Sequence, residues 1–215
     1  MLLILINGAN NSGKDQFVEF FAKHYKFKTV NLSTIDRVKE LSEQYFGWNG
    51  KKTEEARKFL AEMKRIWAEF NNGPFLYTVK KIKSHLSKLN KKNKDNIVYF
   101  VHCREPEEIQ KFKDKYKDKC LAILLERKER PESKKIANNH ADMGVDNYNY
   151  DVIISNNGSK IDLELESIKF IEEIKNKSYP KEYISRRSIG KIVDGLVTEE
   201  TWIEDSPITI TKNKT

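Results

Sequence analysis

The sequence predicts an α/β fold in which a parallel sheet carries helices on both faces. Five short runs, at 2–6, 29–32, 97–101, 120–125 and 151–154, have the length and apolar character of buried strands. Helix-length amphipathic stretches separate them, and strands alternating with helices imply the crossover connections of a parallel sheet. The first run, Leu2-Leu3-Ile4-Leu5-Ile6, leads into a glycine-bearing turn and then directly into a helical pattern.

Taken in order, the strand at 2–6 is apolar throughout, as suits a central strand covered on both faces. Phe17, Val18, Phe20, Phe21 and Tyr25 recur at helical spacing and predict a helix over 14–25. Thr29-Val30-Asn31-Leu32 is a short strand, followed by helices at 34–46 and 53–70 that break at Gly47-Trp48-Asn49-Gly50. Asn72-Gly73-Pro74 ends the second of these, and a helix over 75–89 follows. The lysines of 88–94 read as a solvated loop. After the strand at 97–101, Pro106 opens a helix over 106–116. The strand at 120–125 runs into a polar stretch, 127–147, with no apolar periodicity. Asp151–Ile154 is the next strand, Asn157-Gly158 a turn, and 160–176 the last helix of the pattern. Beyond Tyr179, Ile189–Val193, Gly195–Thr198 and Ile208–Thr211 look like short strands around turns.

The bulk numbers bound the function. At 215 residues the chain suits one domain with excursions, with a full core. Cys103 and Cys120 fit no metal or disulfide spacing, and no stretch could span a membrane, so a soluble cytoplasmic protein is expected. The start runs straight into the glycine turn and lacks the basic leader of a signal sequence. The net charge of +8 gathers in Lys80–Lys94, Lys111–Lys135 and Lys175–Lys191, which fits a phosphate-rich partner, nucleotide or nucleic acid.

Residues 8–15 read GANNSGKD, one letter short of G-x-x-x-x-G-K-[ST]. A loop that wraps a phosphate points successive backbone N–H groups inward, through angles that glycine tolerates best. Gly8 and Gly13 supply these, Asn10, Asn11 and Ser12 the body of the loop, and Lys14 a compact cation able to reach the outer phosphates of ATP. The helix N-terminus that follows favours anions. Asp15 stands where a hydroxyl normally serves Mg2+; its carboxylate offers oxygen to a hard cation, or serves merely as an acid in a first helical turn.

In an open parallel sheet, ligands sit at the carboxyl ends of the strands, and three further segments fall there. Ser33, Asp36 and Arg37 suit the binding of a second substrate, as does Lys39, with a helix cap as the ordinary alternative for Ser33 or Thr34. Arg104, just past the strand at 97–101, is placed to hold a phosphate in bidentate fashion, with a salt bridge to Glu107 or Glu108 as its ordinary alternative. His102 occupies the strand end itself, so Glu105 or Asp15 is left to order Mg2+. The basic stretch after Leu125, with Arg127, Lys128 and Arg130, suits a lid that brings cations to a transferring phosphate. On the helix at 53–70, Arg57 and Lys64 lie seven apart on one face and could receive the phosphate of an acceptor.

The loop ending GKD, the segment HCREPEE and the order of the later pieces resemble phage-type deoxynucleoside monophosphate kinases of the P-loop kinase superfamily, which includes adenylate kinase. In that family the loop often ends GKDT, and a histidine and an acid late in the lid precede an extended segment and an N-[DN]-G turn. The counterparts here are His140 and Asp142, then Tyr150–Gly158. The resemblance covers about residues 1–175, closely at the loop and loosely elsewhere. It implies a three-layer P-loop kinase fold over 1–177, with a helical acceptor-binding region at 34–89 and a lid at 127–147, leaving 178–215 as an appendage. That appendage suits a homodimer contact, a substrate clamp or a tether. By position, Gly8, Gly13 and Lys14 would hold ATP, Arg104 and Arg57 the acceptor monophosphate, and Arg127 and Arg130 would be lid cations. The chain departs from the family at His102, where an aspartate is usual, and at Gln16, where threonine is usual.

The function expected is transfer of the ATP γ-phosphoryl to a (deoxy)nucleoside monophosphate with Mg2+. The alternatives are a kinase acting on a modified base in DNA, which the basic patches would suit, and a nucleotide-binding regulator with little catalysis.

Overall fold

The computed structural model describes residues 1–127, 145 and 148–176. Most of the expected lid, including Lys128, Arg130, Asn139, His140 and Asp142, lies outside the described residues, as does the expected appendage 178–215 with its short strands.

Five strands, β1 (Leu2–Asn7), β2 (Thr29–Ser33), β3 (Val98–His102), β4 (Cys120–Glu126) and β5 (Val152–Ser155), form one all-parallel sheet in the order β2-β3-β1-β4-β5. The continuous apolar run of β1 reflects its place at the centre. Leu3, Ile4, Leu5 and Ile6 are each at most 1% exposed. Burying a side chain of this size contributes about 1.5–3 kcal/mol, so these four residues fix where the strand lies.

The alternation of side chains splits the core into two layers. On one face Leu3, Leu5, Tyr99, Val101, Ala122 and Leu124 pack with Val79 and Ile82 of α4 (Gly73–Ser87) and Ile109 and Phe112 of α6 (Pro106–Tyr116). On the other, Ile4, Ile6, Phe100, Ile123 and Leu125 pack with Phe17 and Phe21 of α1 (Lys14–His24) and Phe170 and Ile171 of α7 (Lys160–Lys175). The result is the expected three-layer α/β fold. Cys103 and Cys120 are buried thiols, one in each flank of the first layer, and neither is in a disulfide.

Between β2 and β3 the chain is helical: α2 (Asp36–Tyr45), α3 (Glu54–Asn71), α4 and a short α5 (Lys91–Asn96). The Thr53 side chain starts α3 by accepting from Ala56 N. Asn72, in the left-handed region at φ 56°, turns the chain between α3 and α4, so Gly73 and Pro74 form the first turn of α4 and do not precede it. The expectation of a loop over 88–94 is corrected by α5, whose six residues have no buried side chain. Its start is set by a cap, since Asn90 Oδ1 accepts from Asn93 N at 2.9 Å. The capping box of α7 is complete: Ser159 Oγ accepts from Asp162 N, and an Asp162 oxygen accepts from Ser159 N. Among the described residues, no helix is long and apolar enough to cross a membrane.

Phe100 joins β3 to α1, with its ring centroid 4.9 Å from that of Phe21 and 6.4 Å from that of Phe17, and it is fully buried. Phe100→Ala should lower the unfolding free energy by about 3–5 kcal/mol in urea denaturation followed by circular dichroism. A loss below about 1 kcal/mol would contradict this packing.

Candidate functional site

The loop that follows β1 is built on two glycines whose hydrogens are needed. At Gly8 a Cβ would lie 2.5 Å from Leu125 O and 2.6 Å from Ser12 Oγ; at Gly13, with φ +94°, it would lie 2.5 Å from Asn156 Nδ2. Asn11 takes the left-handed region at φ 60°. Gly13 is the N-cap of α1 and, lacking a side chain, cannot itself cap the first turn. The Lys14 ammonium folds over the loop, bonding to Gly8 O at 2.6 Å, Ala9 O at 2.7 Å and Ser12 Oγ at 3.2 Å. A concave backbone, a helix N-terminus and a lysine in one place are the elements an anion site is built from.

Two buried asparagines hold this loop. Asn7 Oδ1 accepts from Gly8 N at 2.8 Å, while its amide donates to Tyr150 Oη at 2.7 Å and to Arg104 O at 3.1 Å. Asn156 donates to Ser12 O at 2.8 Å, and its own N–H donates to Glu126 O at 2.7 Å. Arg127 reaches the outer side of the loop, donating to Asn11 O at 3.3 Å.

Beside the loop the ends of β2 and β3 are tied together. The N–H of Thr34 donates to His102 O at 3.1 Å, and the Ser33 and Thr34 hydroxyls donate to the same oxygen. Neither hydroxyl therefore caps α2; Asp36 instead accepts from Ser33 N at 2.9 Å. The His102 side chain is largely buried, and among the described residues its Nε2 has no hydrogen-bond partner. The closest carboxylate oxygen paired with it is Asp15 Oδ1 at 3.6 Å, beyond hydrogen-bond reach. Burial lowers the His102 pKa, with Asp15 pulling it back up and Lys14 pushing it further down; the net shift is downward.

The opposite wall contains a buried ionic cluster. Lys64 bonds to Glu105 and, at 2.9 Å, to Glu108, which also accepts from the Cys103 thiol at 3.3 Å. Burial works against the charge on Lys64, but the fields of Glu108 and Glu105 outweigh it and hold its pKa up. Burial also pushes against ionisation of both carboxyls. For Glu105 the Lys64 charge and hydrogen bond prevail and its pKa is lowered, whereas for Glu108 burial and the neighbouring Glu105 prevail and its pKa is raised. Burial pushes the Cys103 thiol well up, so it is a protonated donor.

These walls enclose a cleft of about 750 Å3, lined by the glycine loop, by Ser33 and Asp36, by Arg57 and Lys64, and by His102, Arg104 and Glu105. The structure thus brings together Asn10 through Asp15 with Ser33, Asp36, Arg57, Lys64, Arg104 and Glu105. It does not bring Arg37 there: that guanidinium pairs with Glu40 at 3.1 Å and stacks over the Tyr77 ring, away from the cleft. Lys64 lines the cleft but is no solvated phosphate receptor, because its ammonium is already spent on two carboxylates. By the same contact Glu105 serves Lys64, where a cation was expected. Arg130 lies outside the described residues. Sequence reasoning missed Asn7, Asn156 and Tyr150 as loop supports, and Trp48 and Lys52 as lining. The signal available was slight: a polar residue closing the apolar run of β1, and an Asn-Asn-Gly turn after β5.

No family model matches the chain, and no curated protein matches it. Solved structures are similar to it. A dephospho-CoA kinase from Campylobacter jejuni is 18% identical with a TM-score of 0.47, over 81% of this chain and 98% of that one. An APS kinase from Mycobacterium tuberculosis, in complex with AMPPNP and APS, is 12% identical with a TM-score of 0.40, over 80% and 97%. Shikimate kinase from Aquifex aeolicus is 12% identical with a TM-score of 0.42, over 81% and 99%.

Removing one partner of a buried ion pair strands the others. Lys64→Met should therefore lower the unfolding free energy by about 3–5 kcal/mol at neutral pH. Adding Glu108→Gln should restore at least about 1 kcal/mol in a double-mutant cycle. Simple additivity of the two costs would show that the ammonium does not serve Glu108.

Proposed function

We propose that this chain is an ATP-dependent phosphotransferase that passes the γ-phosphoryl group to a (deoxy)nucleoside monophosphate. The observation that carries the reading is one cleft with an anion-binding loop at one wall and the guanidinium groups of Arg57 and Arg104 among its lining. Its volume lies within the roughly 300–1,000 Å3 typical of small-molecule sites, which favours a free nucleotide over a polymer as acceptor.

In this reading the chain contributes position and charge. The N–H groups at Gly13 and the head of α1 hold the donor phosphates, and Lys14 exchanges its bonds to loop carbonyls for bonds to phosphate oxygens. Arg57 and Arg104 take the acceptor's phosphate, each able to present two N–H groups to one phosphate. Asn7 sets the distance between the two halves, since it bonds both the first residue of the loop and the backbone of Arg104. Arg127, at the loop's rim, supplies charge on the side from which the donor's outer phosphates enter. Asp15 is 84% exposed at the head of α1, an available oxygen donor that fits a Mg2+ ion brought in with ATP. Such an ion supplies neutralisation of charge on the phosphate oxygens when bound.

Turnover of ATP measured against ribo- and deoxynucleoside monophosphates, and against DNA with modified bases, tests the acceptor. A monophosphate should stimulate it; stimulation by DNA alone would move the acceptor to the polymer, and ATP binding without any stimulation would point to a regulator. Lys14→Ala should abolish turnover. Arg57→Ala and Arg104→Ala should each raise the acceptor KM by roughly tenfold or more, leaving the KM for ATP nearly unchanged. Full activity of Lys14→Ala would overturn the loop assignment.

A further inference from the structure

We infer that His102 is a direct protein ligand, together with Asp15, of the divalent cation that accompanies the donor phosphates, and that it moves the preferred cation from Mg2+ toward Mn2+ and Co2+. The inference rests on the phosphoryl-transfer reading above and names the metal chemistry of that same cleft.

The first observation is the orphaned nitrogen. Among the described residues, His102 Nε2 is shut off from solvent and has no hydrogen-bond partner, although His102 lines the cleft. A buried polar atom left in this state is costly, and a ligand at that atom would recover the cost. The second is its neighbour. Asp15 Oδ1 stands 3.6 Å away, too far for a hydrogen bond. Two donors on one cation at about 2.1 Å, in adjacent octahedral positions, would be about 3 Å apart, and about 4.2 Å apart in opposite positions. The observed separation is about half an ångström beyond the adjacent arrangement, a gap that a turn of the exposed Asp15 carboxylate would close.

The other groups acting electrically on the ring are otherwise held. Lys14 is bonded to the loop, and Asp36 accepts from Ser33 N and has Lys81 at 3.9 Å. Lys39, the remaining one, is a cation and cannot serve a metal. Of the carboxylates beyond β3, Glu105 and Glu108 are taken by Lys64, and Glu107 is not among the residues lining the cleft. The donor set left at the loop is one carboxylate oxygen and one imidazole nitrogen. Mg2+ prefers oxygen alone, whereas imidazole raises affinity for first-row transition ions.

The test uses the whole chain with Mn2+ and AMPPNP. Pulsed electron paramagnetic resonance should detect imidazole 14N coupling to Mn2+ in the wild type. The coupling should vanish in His102→Gln and persist in His140→Gln, both checked for folding by thermal melting. Calorimetric titration should show Mn2+ and Co2+ binding weakened roughly tenfold or more in His102→Asn, with Mg2+ little affected. Nucleotide and Mn2+ bound without 14N coupling in the wild type, or coupling retained in His102→Gln, would overturn this inference and leave the phosphotransferase reading standing. Failure of AMPPNP to bind with any cation would overturn both.

Discussion

Everything at the mouth of the sheet depends on the side chain of Asn7. It is 1% exposed and sits where the central strand runs out of apolar residues. Its carbonyl oxygen fixes the first N–H of the glycine loop, and its amide fixes the backbone of Arg104 and the hydroxyl of Tyr150. In a buried place each of those groups needs a partner, so one amide settles three at once. The geometric result is that the loop and the residue after β3 share a common reference point. Strand pairing alone leaves chain beyond the strand ends free to wander; this amide removes that freedom.

The charges of the cleft divide by burial. Lys64 and Arg57 are two turns apart on the same face of α3, yet they do different things. Lys64 is sunk against Glu105, the N-cap of α6, and Glu108 in that helix's first turn, and its charge is spent holding α3 to α6. That brace keeps Arg57 aimed at the cleft. Lys64 and Glu108 are desolvated while Glu105 keeps about half its side chain in solvent, and the cost of burying the pair must be offset by their bonds, so the cluster is better understood as an alignment device than as a source of stability. The protonated thiol of Cys103 supplies one more bond to Glu108 and completes it.

Much of this was legible in the chain itself. Continuous apolar runs gave the strands to within a residue or two, because parallel strands covered on both faces admit few polar side chains. Gly8, Gly13 and Lys14 marked the loop, because few local conformations require that pattern. The strand order β2-β3-β1-β4-β5 was not legible, since alternation of strand and helix does not say which neighbours pair. Nor was the state of Lys64, whose partners are 41 and 44 residues away. Helical periodicity put it on Arg57's face but could not distinguish a solvated lysine from a neutralised one. Arg37 was misjudged because its partner, Glu40, lies one turn along the same helix and draws it outward. The helix α5 escaped notice because it buries nothing and is defined by its cap alone.

The loop is made before the residues that support it, which come from far along the chain. Asn7 bonds across 143 residues to Tyr150, and Ser12 across 144 to Asn156. Contacts of such separation form late, since loop-closure entropy must be met before they return anything. A nascent chain emerging from the ribosome therefore carries the glycine loop long before it can hold its shape. The loop takes its fixed shape only when β5 has docked beside β4, so its order reports that the rest of the sheet has closed.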